Sequence, residues 1–154
     1  MKNSLLVLLG LLVFSAPCLA SHYPLDETGL FSPEEMKAFT AAGFPDTESL
    51  GKALLDPTGR KAVATTTALS DKRLTELAEI CDLLRIRGVG PKMASLLRLS
   101  GVFDSSDLGK AKAPQLYEAM KKANAIHGTS EVVPEADVLE GWIKDAHSNP
   151  SKLK

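Results

Sequence analysis

The chain has 154 residues and a mass of 16.4 kDa, with 44% hydrophobic and 24% charged residues, so its body is neither disordered nor membrane-spanning. A formal net charge of −1 and only 5% aromatic residues leave a core of Leu, Val, Ile and Ala, which favours helices. Two Cys exclude a disulfide framework, and three scattered His argue against a zinc site.

The N-terminus has the order of a secretory signal. Lys2 supplies a positive charge, and Leu5 to Phe14 is an apolar run broken only by Gly10. Pro17 and small residues then lead to Ala20. The run is about half of what a stable membrane anchor needs. Cleavage after Ala20 is expected, with a mature start at Ser21, an exported (periplasmic or secreted) chain, and no membrane segment in the mature form. A retained anchor is opposed by Pro17, which also makes Cys18 a poor lipidation site. Cleavage leaves Cys81 alone, on the apolar spacing Leu74, Leu77, Ile80, Leu84, so a buried helix position is expected for it.

Beyond a polar lead, Ser32-Pro33-Glu34-Glu35 predicts a capped helix that ends at Gly43. Asp46 starts a second, through Leu55. Asp56-Pro57-Thr58-Gly59 reads as a turn. Residues 60–69 stay ambiguous, because three consecutive Thr lower helix propensity while the surrounding Ala does not suggest a strand. Ser70 and Asp71 open a helix to about Arg85. Gly88-Val89-Gly90-Pro91 breaks it, and another runs from Pro91 to Gly101. Asp104 caps the next, and Ala113-Pro114 opens one carrying Leu116, Tyr117, Met120 and Ala123. After a loop at 128–133, Pro134 to Asp137 open the last helix, with Val138, Leu139, Trp142 and Ile143 as its apolar stripe. Residues 148–154 are read as a flexible tail. No alternating strand pattern is present, so the expected fold is all-α.

An internal repeat organises this order. Residues 31–53 align without gaps on 89–111, with seven identities in 23 positions, against one or two for roughly random composition. The expected arrangement is therefore two related helical units, 21–82 and 83–147, packed as one compact helical domain. Residues 21–82 carry six Lys and Arg against eleven Asp and Glu, a balance of −5. Residues 83–154 carry eleven against eight, a balance of +3. The second unit is thus the one suited to an anion, with Lys110, Lys112, Lys121 and Lys122 extending its basic surface. A dedicated nucleic-acid binder is usually more basic overall, and few aromatics argue against stacking on single-stranded bases.

The segment Leu83 to Leu97 carries the strongest signal: Leu, two residues, Ile, one residue, Gly-Val-Gly, three residues, Ala, two residues, Leu. It resembles a helix-hairpin-helix motif at every defining position. Gly88 and Gly90 suit a tight turn, Val89 pins it from inside, and Ala94 lets the two helices cross. The start of the following helix suits a phosphate oxygen. The resemblance implies a hairpin that grips nucleic-acid backbone without reading sequence; some such hairpins also hold a monovalent cation on their carbonyls. Arg85, Arg87, Lys92 and Arg98 lie in or beside the motif with no acid between 85 and 98, so Arg85, Arg87, Gly88, Val89, Gly90, Lys92 and Arg98 are the candidate nucleic-acid-binding residues. The first copy departs from the pattern. It has Leu30 and Ser32 at the glycine positions, Met36 for Ala94, and Glu34 and Glu35 for Lys92 and Met93, a set that repels phosphate.

The two-unit layout also resembles an uncharacterised bacterial family, a domain of unknown function built from paired helix-hairpin-helix units. That resemblance runs from about Tyr23 to Ala146, and its specific parts are Leu83 to Leu108 and Val138 to Ile143. It implies a fold and little about activity. No catalytic constellation is present: His22, His127 and His147 read as surface residues, Asp104 to Asp107 as a helix cap, and Trp142 as core. Two readings stay open. One is an exported, monomeric, non-enzymatic module on double-stranded DNA backbone. The other is a periplasmic protein-interaction or scaffold module whose hairpins are purely structural.

Overall fold

A computed structural model describes residues 22–153. The expected signal segment, including Cys18 and Ala20, lies outside the described residues. Within them the chain is all-helical: a 3-10 turn, Leu25–Glu27, precedes eight α-helices. These are α1 (Pro33–Ala41), α2 (Thr47–Leu54), α3 (Pro57–Thr67), α4 (Asp71–Leu84), α5 (Pro91–Leu99), α6 (Ser105–Lys110), α7 (Ala113–His127) and α8 (Ala136–Ser148). The nearest thing to a strand among the described residues is an isolated antiparallel bridge between Pro24 and Asp46.

Local chemistry sets the boundaries. Ser32 accepts from the Glu35 amide while the Glu35 carboxylate accepts from the Ser32 amide, a complete capping box with Pro33 at the first position. Asp46, Ser70 and Asp104 cap α2, α4 and α6 by accepting the amide three residues on, from Ser49, Arg73 and Asp107. The segment read as a turn is instead the start of a helix. Asp56 accepts from the amides of Thr58 and Gly59, and α3 begins at Pro57. Turns and N-caps use the same Asp-Pro chemistry, which is why the sequence did not separate them. The three threonines stay helical because each hydroxyl donates to the carbonyl four residues back. Arg60 is buried on this helix, and its guanidinium donates to the Leu54 carbonyl at 2.8 Å.

The helix order α1–α4 is matched by α5–α8. α1 and α5 each have nine residues and each ends before a glycine, Gly43 and Gly101, with φ of +87°. Residues after these glycines turn back alike: Phe44 donates to the Phe39 carbonyl and Val102 to that of Leu97. The packing repeats too, α2 on α4 like α6 on α8, α3 on α4 like α7 on α8, and α1 on α3 like α5 on α7. The α2–α4 and α6–α8 crossings each rest on a glycine. A Cβ at Gly51 would lie 3.0 Å from Cys81 Cβ, and one at Gly109 would lie 3.3 Å from the His147 amide. The two halves meet where α4 packs on α5 and α6. One hydrophobic cluster runs through both, including Phe39, Leu50, Leu74 and Leu77 from the first half and Leu97, Leu108, Met120 and Leu139 from the second.

Candidate functional site

The segment joining α4 to α5 is a compact turn. Ile86 donates to the Leu83 carbonyl and Val89 to that of Ile86, both at 3.0 Å. Val89 and Ile86 are buried, as are Ala94 and Leu97 on α5, so the apolar positions of the motif close the contact as the spacing predicts. Gly88 has a φ of +90°, and a Cβ there would sit 2.9 Å from Trp142 Nε1. A side chain is thus excluded both by conformation and by the indole of α8. Gly90 differs: its φ of −89° suits any residue, and its nearest neighbour would be Tyr23 Oη at an ordinary 3.5 Å. Gly90 is the N-cap of α5 and leaves that helix without a side-chain cap.

The four cations of the motif diverge. Arg85 donates through Nε and Nη2 to Asp82 Oδ1, at 3.0 and 2.8 Å, and through Nη2 to the Pro150 carbonyl at 3.2 Å. Asp82 is a buried carboxylate whose other oxygen accepts from the Ser105 amide and hydroxyl, at 2.9 and 2.6 Å. Arg98 pairs with Glu79 of α4 and lies 5.3 Å over the Phe103 ring. Arg87 and Lys92 are exposed at the turn mouth. The Arg87 amide donates to Asp145 Oδ2 of α8 at 3.1 Å. Lys92, in the first turn of α5, is in no ion pair among the described residues. The absence of acids between 85 and 98 did not make the surface uniformly basic, because Glu79 and Asp82 on the preceding helix reach Arg98 and Arg85. Asp82 sits three residues before Arg85, a spacing legible in the sequence; the Glu79–Arg98 and Asp145–Arg87 contacts cross between helices and carry no local signal.

The matching entry to α1 has no such opening, since Ser32 and Glu35 fill it. Arg73 further holds Glu35, at 2.6 and 3.0 Å, and donates to the Leu30 carbonyl. The hydrogen bond from Arg73 holds the Glu35 carboxyl below its ordinary value. Cys81 is buried, as its spacing predicts, and desolvation pushes its thiol up to about 12, with Asp82 adding to the effect. Among the described residues, no group of three or more His, Cys, Asp or Glu is placed to hold a metal ion. Among them too, no helix is long and apolar enough to cross a membrane.

No curated protein matches this chain, and no solved structure does. One family matches residues 30–149, nearly all of both helical halves, and is described as a domain of unknown function, DUF4332. The repeated helices, their paired turns and the segment that joins them all fall within that span, and the chain belongs to the DUF4332 family.

Proposed function

We propose that the chain is an exported, non-catalytic module of two helix-hairpin-helix units, and that its second hairpin holds nucleic-acid backbone weakly and without reading sequence. The observation that carries this reading is the open start of α5. Its N-cap is Gly90, which gives the first-turn amides no side-chain cap, whereas α1 has Ser32 and Glu35 in the same place. Uncapped amides at a helix N-terminus suit a phosphate oxygen, and Lys92 and Arg87 add exposed positive charge beside them. The contacts are few, so binding is weak and its salt dependence shallow. Two neutralised phosphates give a log–log slope of about −2, or roughly tenfold weaker binding between 50 and 200 mM salt. Four contacts, with Arg85 and Arg98 included, give a loss of roughly 150-fold over the same range.

Lys92→Glu combined with Arg87→Glu tests this on purified protein with labelled duplex DNA. Binding is expected to disappear while helical content and melting temperature stay close to those of the parent. Retained binding removes the hairpin as the site.

The second reading, a protein-interaction or scaffold module with purely structural hairpins, is favoured by one specific observation. α8 covers the turn: Trp142 lies against Gly88, and Asp145 takes the Arg87 amide. On that reading the charge reversals change no nucleic-acid binding, because there is none to change.

A further inference from the structure

A cleft of about 160 Å³ lies between α2 and α4, away from the turn mouth. Ala78, Cys81 and Leu84 of α4, with Leu55 after α2, make its apolar lining. The Cys81 thiol stays protonated, so this lining carries no charge. The rim carries Lys52 and Arg85 on the helices and Lys152 from the C-terminal segment, together with the acids Glu48 and Asp82. Arg85 holds that segment in place through the Pro150 carbonyl at 3.2 Å, and Leu153 packs against the core.

The rim charges are unequally spent. Lys52 is paired with Glu48 at 2.6 Å, and Arg85 with Asp82. Asp82 is saturated by Arg85 and Ser105. Lys152 lines the cleft and is in no ion pair among the described residues.

We propose that this cleft is a binding site for a small carboxylate whose apolar body is about the size of a benzene ring. The size follows from the volume: an apolar cavity of about 150 Å³ takes benzene. The charge follows from Lys152, a cation left uncompensated at the edge of an apolar lining. The ring lies on Ala78, Cys81 and Leu84, and the carboxylate meets the Lys152 ammonium. This site is independent of the α5 entry and of nucleic acid.

Benzoate is the probe, with benzyl alcohol as the uncharged comparison, followed by amide chemical shifts of the purified protein at fixed ionic strength. Benzoate is expected to shift the Gly51, Cys81 and Lys152 amides saturably, with a dissociation constant on the order of 1 mM. Lys152→Glu, a surface change that leaves the fold intact, is expected to weaken benzoate at least fivefold and to leave benzyl alcohol unchanged. Ala78→Ile fills the cleft and is expected to abolish both. The proposal is overturned if tens of millimolar benzoate gives no saturable shift at these amides. It is also overturned if the shifts appear only at Gly90 and Lys92, or if Lys152→Glu leaves benzoate binding unchanged.

Discussion

Gly88 and Gly90 read alike in the sequence and differ in the structure. Gly88 needs its positive φ and faces Trp142, whereas Gly90 has an ordinary backbone and ordinary contacts. Gly88→Ala is therefore expected to cost about 2 kcal/mol or more, from strained backbone and the displaced indole. Gly90→Asp puts a capping carboxylate where Ser32 sits in the first copy. It is expected to leave stability equal or slightly raised, because Asp caps at least as well as Gly, yet to abolish DNA binding by occupying the α5 amides and repelling phosphate. Urea melts and binding on the same two variants check both statements. Cys81 gives a pH prediction. Its thiol is at about 12 in the folded protein against an ordinary value of 9.0, so the folded state holds its proton longer than the unfolded state. Stability from this group is complete below pH 9.0 and falls as pH rises toward 12, and native Cys81 resists alkylation at neutral pH. Glu35 works at the other end: its pair with Arg73 stabilises the fold above its ordinary 4.5 and is lost as pH falls through the lowered value.

Helix starts were the most legible elements, because an N-cap is a local signal. Ser32, Asp46, Ser70 and Asp104 each cap the helix that their position predicts. α3 was hidden by its own chemistry: Asp56-Pro57 suits a turn as well as a cap, and the threonines mask a helix that buries Val63 and Arg60. Tertiary burial decided what propensity left open. α3 ends at Ala68 with a φ of +58°, the positive-φ position among the described non-glycine residues. Ala68→Gly relieves that backbone and is expected to stabilise the protein by about 1 kcal/mol, readable as a rise in the urea midpoint at unchanged slope. The candidate site was legible as far as its turn, since Ile86, Val89, Ala94 and Leu97 follow a fixed spacing. Its electrostatics were not, because Glu79 and Asp145 approach from other helices and no count along the chain can place them.

The repeat of 58 positions aligns residues 31–53 with 89–111, and the glycines it pairs stand at like places in the structure: Gly43 and Gly101 at positive φ, Gly51 and Gly109 at helix crossings. It could not foretell the junction, since the contact of α4 with α5 and α6 belongs to neither copy. Asp82 stands there, joining Arg85, the start of α6 and, through Arg85, the C-terminal segment. Asp82→Ala leaves Ser105 and a partly exposed Arg85 without their carboxylate and is expected to cost about 2 kcal/mol or more. The shared hydrophobic cluster predicts one cooperative transition, with Trp142 fluorescence and far-ultraviolet ellipticity coincident in urea; two transitions would mean that the halves are separate folding units. Whether the opening of α5 holds phosphate is decided by a salt series of purified protein on labelled duplex DNA. Saturable binding is expected, weakening roughly tenfold from 50 to 200 mM salt and vanishing with Lys92→Glu and Arg87→Glu together. Absence of binding at low salt, or binding untouched by the double reversal, would contradict it.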